Sequence, residues 1–205
     1  MSHPDRPLRA DAVRNRARVL EVAYETFASL GLGVPIDEIA RRAGVGAGTV
    51  YRHFPTKEAL VRAVFDDRVR RIVENGHALL ATQGPAEGLF AFLRALASTG
   101  AADLGLVDAV GSFGIDVESA SSGAEAAFLG VLDELLQAAQ RAGSARSDVG
   151  VPEVKALLWV CMTAQGHGDV MADRVTAVIE DGLRAEATLH SPWSSAKNDI
   201  GTRDR

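Results

Sequence analysis

The chain has 205 residues, 22 Lys and Arg against 27 Asp and Glu, a formal net charge of −5 at pH 7, and 47% apolar residues. This length supports one sizeable core or two small domains, no apolar run reaches the ~18 residues a bilayer span needs, and the lone Cys161 excludes an intrachain disulfide framework. The leading residues Met1-Ser2-His3-Pro4-Asp5-Arg6-Pro7 hold no apolar h-region, so the expectation is a cytoplasmic protein without a secretory signal.

The charge is unevenly spread. Residues 1–75 carry 13 Lys and Arg against 10 Asp and Glu, a net +3, and the remaining 130 carry 9 against 17, a net −8. A basic head on an acidic body can still dock on phosphate, because screening limits each charge to a reach of about 8–10 Å.

In chain order, residues 1–11 are polar with two prolines and read as a flexible arm. Arg6 and Arg9 either reach phosphate or a minor groove from it, or are incidental charge on a leader. Helix 1 is expected over 12–30, with Val13, Ala17, Leu20, Ala23, Tyr24, Phe27 and Leu30 at three- and four-residue steps. A second helix starts at Pro35, with Asp37 and Glu38 in its first turn and Ile36, Ile39, Ala40 and Ala43 as its buried stripe. Gly44 ends it, and Val45 is placed to plug the corner beneath the turn. A third short helix follows over 47–54 and is closed by Pro55.

Two helices joined by a three-to-four-residue turn containing Gly make a helix-turn-helix, whose second helix enters the major groove. Thr56 then caps helix 4, whose buried face is Leu60, Val61, Val64, Phe65, Val69 and Ile72, running to about 75–76. Gln83-Gly84-Pro85 is a break. Amphipathic helices are expected over 86–99 and 103–110, and an irregular Gly- and Ser-rich segment over 111–123. Long helices over 122–142, 152–165 and 169–189 complete the chain before a mobile tail from 191. The fold class is therefore all-α.

The segment carrying Ile39-Ala40, Ala43-Gly44-Val45, Thr49-Val50-Tyr51, His53-Phe54 and Lys57-Glu58-Ala59-Leu60 resembles the DNA-binding core of the TetR (tetracycline repressor) family of transcriptional regulators. One departure is Pro35-Ile36, where the family often has a Thr cap; this touches capping and leaves the docking surface as it is. The resemblance implies an N-terminal three-helix helix-turn-helix domain and a C-terminal helical bundle that dimerises and binds ligand. The divisions are an arm over 1–11, a DNA-binding domain over 12–58, an effector and dimerisation domain over 59–190, and a tail over 191–205. The resemblance also implies ligand-controlled repression. An effector in the body moves helix 4, changes the spacing of two recognition helices and lowers operator affinity, which requires differential affinity for the two states.

Residue by residue, Thr49 can bond a phosphate or touch a thymine methyl, and Tyr51 and His53 present polar ring tips that can donate to phosphate. Lys57 adds its charge to a helix N-terminus. Ala47 and Gly48 offer only methyl contact and close backbone approach, and Arg52 has the longest reach, to guanine or phosphate. Arg41 and Arg42 at the end of helix 2 read as solvated, with a contact to the DNA backbone by one of them as the other reading. Gly44-x-Gly46-x-Gly48 is a poor phosphate loop, because no apolar strand precedes it and no P-loop Lys-Ser/Thr follows.

In the body, Phe92, Phe113, Phe128, Trp159 and Met162, with Gln165 as a polar orienter, are candidate liners for an apolar small-molecule effector, although aromatic and Met residues at helical spacing usually form core. Cys161 reads as an inert core thiol. The last two helices pair across a two-fold axis in the TetR family, and here Leu157, Val160, Ala164, Val175, Val178, Ile179 and Leu183 are the candidates for that contact. A homodimer would set recognition helices about 34–36 Å apart on a palindromic operator. His77, His167 and His190 lack metal-ligand spacing, no catalytic dyad or nucleophile elbow is present, and no cofactor is expected. Two alternatives stay open: a constitutive DNA-binding protein without effector, and a helical small-molecule binder or enzyme with a vestigial motif.

Overall fold

The computed structural model describes the backbone of residues 5–112 and 122–185. The elements are α1 (Asp5–Leu30), α2 (Ile36–Ala43), α3 (Ala47–His53), a helical stretch Lys57–Ser112, α6 (Ser122–Arg141), α7 (Val151–Ala164), a 3₁₀ turn (Gln165–His167) and α8 (Asp169–Leu183). Gly84, at φ 76° and ψ 175°, divides the Lys57–Ser112 stretch into α4 (57–83) and α5 (85–112). That conformation is disfavoured for residues with a Cβ, and Pro85 opens the next helix where its missing N–H costs nothing. Among the described residues there is no strand, only an isolated bridge between Ala145 and Arg184. The all-α class is observed. No described helix is long and apolar enough to cross a membrane.

Four boundaries differ from expectation; one is the end of α4, which runs past 75–76 to 83. The first helix begins at Asp5, seven residues before position 12, so residues 5–11 of the expected arm are helical. Pro7 is compatible with this because it lies in the first turn, where N–H groups have no partner anyway. The gap expected over 100–102 does not exist, and α5 runs through it. The last helix ends at Leu183, and the expected tail lies outside the described residues.

Two cores organise the chain. The first gathers Val19, Leu20, Ala23 and Phe27 of α1, the predicted stripe Ile36, Ile39, Ala40 and Ala43 of α2, Val50 of α3, Phe54, and Leu60, Val61 and Val64 of α4. Val13, Ala17 and Leu30, expected in the α1 stripe, are exposed: the first two lie in the half of α1 that precedes its buried residues, which begin at Val19, and Leu30 is its last residue. The second core stacks Leu89, Phe90, Phe92, Leu93 and Leu96 of α5 on Val131, Leu132, Leu135, Leu136 and Ala139 of α6, with Val154 and Leu158 of α7 and Leu183 of α8. Leu106, near the far end of α5, leaves this stack and packs into the first core.

Gly100 explains the unbroken α5. A Cβ built there would lie 2.5 Å from Met162 Cα and 2.8 Å from its carbonyl oxygen, so α5 and α7 cross with backbones almost in contact. A residue that lowers helix propensity by about 1 kcal/mol is kept because only it fits the crossing. Gly105, one turn on, has nothing within 4 Å of the same position. Gly100→Ala is expected to destabilise the protein by about 1–3 kcal/mol through overpacking, and Gly105→Ala to stabilise it by about 0.5–1 kcal/mol; thermal unfolding of the two variants compares them directly.

Candidate nucleic-acid interface

The turn between α2 and α3 is built as the sequence implies. Gly44 takes the left-handed conformation at φ 67°, ψ 32°. Its N–H donates to Arg41 O at 3.2 Å and the Val45 N–H to Ala40 O at 3.0 Å, a Schellman closure that satisfies the last carbonyls of α2. Val45 packs against the first core, and Gly46 in extended conformation begins α3. Val50 is fully buried and Phe54 nearly so; these two anchors fix the rotation of α3 about its own axis.

The other side chains of α3 then face outward together. Gly48, Tyr51, Arg52 and His53 are exposed, and Ala47 and Thr49 are half-buried on the flanks. Nothing lies within 4 Å of a Cβ built on Gly48, so the backbone there is open to close approach. Past Pro55, the Thr56 hydroxyl accepts the Ala59 N–H at 3.1 Å and caps α4, which begins at Lys57. Six of the seven predicted contact residues thus lie on α3, and Lys57 stands at the head of the next helix. Arg41 and Arg42 are not free. Both pair with Glu38, at 2.7 Å each, and these guanidiniums, Arg41 first, pull the Glu38 carboxyl down to about 2. Arg16 lies with its guanidinium 5.5 Å over the Phe54 ring.

Behind this face is a polar cluster that the sequence did not reveal. Asp103 of α5, 6% exposed, receives two hydrogen bonds from Arg68 of α4, at 2.6 and 2.7 Å. Tyr24 of α1 donates to the same carboxylate at 2.8 Å, as does the Thr99 hydroxyl. Arg68 also lies 5.3 Å from the centroid of the Tyr24 ring. Burial first, and then the hydrogen bond to Asp103, push the Tyr24 phenol up, so it stays a protonated donor. Burial works against the charge of Arg68, but its hydrogen bonds to Asp103 hold its pKa above the ordinary value. The isolated carboxylate in Ala101-Ala102-Asp103-Leu104-Gly105-Leu106 is the only sequence signal that could have pointed to this cluster.

The candidate effector residues do not converge on one cavity. Phe92 is fully buried in the second core, and Phe128 packs on it with ring centroids 6.5 Å apart. Met162 is half-buried at the α5–α7 crossing, and Trp159 is 53% exposed on the outer side of α7. Phe113 lies outside the described residues. Gln165 lines a cavity of about 520 Å³ between α5 and α8, whose other walls are Arg94, Ala97 and Ser98 and, from α8, Asp169, Asp173, Thr176, Ala177 and Glu180. Charged and polar side chains, among them Arg94, Asp169 and Asp173, line this cavity beside a larger apolar surface. Cys161 is a buried free thiol, pushed up by burial.

Of the candidate dimer residues, Ala164 and Leu183 are buried inside the protomer, where α7 and α8 meet the second core, so neither is on an outer face. Leu157, Val175 and Ile179 are half-buried. Val160 and Val178 are exposed, Val178 at 71%, and share the outer side of α7 and α8 with Trp159 and Met171. The helical period alone did not distinguish the inward stripe from the outward one, since both are apolar.

Comparison with known proteins matches this architecture in both halves. Residues 19–64 match the family model for bacterial regulatory proteins of the tetR family, and residues 84–185 that for the C-terminal domain of SbtR-like transcriptional regulators. A TetR transcription regulatory protein from Mycobacterium vanbaalenii is 64% identical, over 87% of this chain and 99% of that one, with a TM-score of 0.77. This chain belongs to the TetR family of transcriptional regulators. The TetR-family regulator SCO0520 from Streptomyces coelicolor is 35% identical over 84% of this chain and 99% of its own, with a TM-score of 0.73. The HTH-type transcriptional regulator SAB2452 of Staphylococcus aureus (strain bovine RF122 / ET3-1) is 41% identical over 54 residues, which span 26% of this chain and 29% of that relative's length. The TetR-family assignment makes the α2–α3 unit a DNA-binding helix-turn-helix.

In this TetR-family chain the Asp103 cluster ties α1, through Tyr24, to α4 and α5. Arg68→Leu leaves a buried carboxylate without its cation and is expected to cost about 3 kcal/mol, while Arg68→Leu with Asp103→Leu regains most of that loss. A double-mutant cycle by denaturant unfolding measures the difference.

Proposed function

We propose that this TetR-family regulator is a homodimeric repressor that binds a palindromic operator through α3 and is released by a small-molecule effector held in its C-terminal domain. The observation that carries the DNA half of this reading is the single outward face of α3. With Val50 and Phe54 anchored in the core, Thr49, Tyr51, Arg52 and His53 stand outside it, and Lys57 stands beside them at a capped helix N-terminus. Thr49, Tyr51, His53 and Lys57 contact phosphates and set the register of the helix in the groove. Arg52 carries direct readout, Ala47 supplies a methyl contact, and Gly48 lets the backbone approach closely.

The working division is a DNA-binding domain over 12–58 and an effector and dimerisation domain over 59–190. The first core draws on Leu60, Val61 and Val64, so α4 is shared by both domains and transmits movement between them. The dimer reading is supported by the outer face of α7 and α8. Trp159, Val160, Met171 and Val178 are all about half exposed or more, a concentration of large apolar side chains that a second copy would cover. Two recognition helices brought together in this way double the phosphate contacts of one.

Two experiments test this reading. Tyr51→Ala and Lys57→Ala are each expected to weaken binding to the operator at least tenfold while leaving the dimer intact. The operator is found by footprinting the protein on its own upstream DNA at near-physiological salt, and binding by the parent's dimer to a protected palindrome supports the reading, whereas weak uniform binding that salt abolishes refutes it. Val178→Asp is expected to turn the dimer into folded monomers, because the side chain is exposed in the protomer; sedimentation equilibrium with circular dichroism reports both properties.

A further inference from the structure

The DNA contacts proposed above lie on α3 and at the head of α4, but a third element comes up against the same place. Arg16 of α1 is exposed, yet it stands in register with the buried stripe of that helix: Leu20, Ala23 and Phe27 follow it at steps of four, three and four residues. One turn before that stripe enters the core, the side chain of Arg16 is turned toward the helix-turn-helix. Its guanidinium lies 5.5 Å over the ring of Phe54, the residue that caps the C-terminus of α3. Phe54 is anchored in the first core, the His53 ring lies 6.1 Å from its ring, and Lys57 opens α4 three residues on. Arg16 and His53 therefore flank one aromatic anchor, and Lys57 stands just beyond it.

Arg16 also differs from other arginines of the head in having no anion beside it. Arg14 pairs with Asp11, Arg41 and Arg42 pair with Glu38, and Arg70 and Arg71 pair with Asp67. Among the described residues Arg16 has neither a carboxylate nor a hydrogen-bond acceptor, only the Phe54 ring. A guanidinium resting on an aromatic face keeps its N–H groups for a bidentate oxyanion, and being held there lowers the entropy lost when one binds. A base edge is the poorer target, because α1 is not the helix that enters the groove. Phosphate oxygens lie where the flanking elements reach.

We propose that Arg16 binds a backbone phosphate of the operator beside the C-terminal end of α3, so that α1 docks on DNA together with α3 and the head of α4. The proposal rests on the DNA-binding reading above and adds a contact from a further helix. Two protomers on a palindrome gain two phosphates by it. Each phosphate neutralised steepens the fall of log K with log salt by about 0.9, so the contact has a signature that packing alone does not produce.

The test uses the full chain, the footprinted palindrome and a duplex of scrambled sequence, with affinity read by fluorescence polarisation over a series of salt concentrations. Arg16→Gln is expected to weaken binding to both duplexes, roughly tenfold on the palindrome, and to flatten the salt slope by about 1.8 for a dimer. Arg16→Lys keeps the charge and is expected to keep the parent slope. Arg18→Gln removes the same charge from a position about 160° away around α1 and is expected to leave the slope unchanged. Thermal unfolding followed by circular dichroism verifies that each variant is folded. Weaker binding by Arg16→Gln at an unchanged slope means that Arg16 acts only by packing on Phe54, and overturns the proposal. Equal flattening by Arg18→Gln overturns it as well, since the effect is then one of overall charge. Lys57→Ala and Tyr51→Ala in the same assay separate the proposal from the reading beneath it. If they weaken binding and Arg16→Gln does not, the Arg16 contact falls and the α3 interface stands. If none of the three changes binding, the interface itself is misplaced and both fall.

Discussion

The joint of this protein is a buried carboxylate. Asp103 has given up water, and its charge is compatible with burial only because Arg68, Tyr24 and Thr99 surround it with donors. Those donors come from three different helices. Displacing any one leaves a charge or a phenol desolvated and unpaired, so the relative placement of α1, α4 and α5 is stiff near this point. A hydrophobic joint would tolerate sliding by a fraction of an ångström; a bidentate guanidinium–carboxylate pair does not. Such a contact tends to be made or broken as a unit, which is what a two-state coupling between a body and a DNA-binding head requires.

Helix α5 gathers the constraints of the molecule along one rod. Its first turns build the second core, its middle walls the cavity, Gly100 lets it touch the backbone of α7, Asp103 binds Tyr24 of α1 and Arg68 of α4, and Leu106 enters the first core. A helix held at so many points moves as a body when it moves at all. The cavity and the clamp lie within about two turns of each other on it, while the outer face of α7, where a second protomer would sit, lies across the Gly100 crossing. The cavity, the α7 crossing and the contact to α1 therefore meet on one element, and the kink at Gly84 decouples α5 from the direction of α4 at the other end.

Legibility in the sequence varied with the range of the interactions involved. The helix-turn-helix was readable almost to the residue, because Gly44, Val45, Pro55 and Thr56 act on the backbone within four residues of themselves. The buried stripe of α2 and the break at Gly84 followed the same local logic. The inward and outward faces of α7 and α8 were not separable, since Ala164 and Leu183 on one side and Val160 and Val178 on the other are all apolar and all at helical spacing. The continuity of α5 through Gly100 was hidden for a related reason: a local rule marks Gly as a weak point, and the reason for its presence lies in α7, about sixty residues away.

What the sequence determined by itself is the all-α class, the helix-turn-helix with its exposed α3 residues, and the TetR-family resemblance, because these depend on propensities, caps and periodicities that act over a turn or two. What only the tertiary structure decided is which charges are buried together. Tyr24, Arg68 and Asp103 are separated by 44 and 35 positions, and Arg94 and Glu180 by 86, so no window of sequence contains either pairing. Burial turns these scattered polar residues into a clamp and a charged cavity, since the energetic consequence of a carboxylate depends on whether water still reaches it.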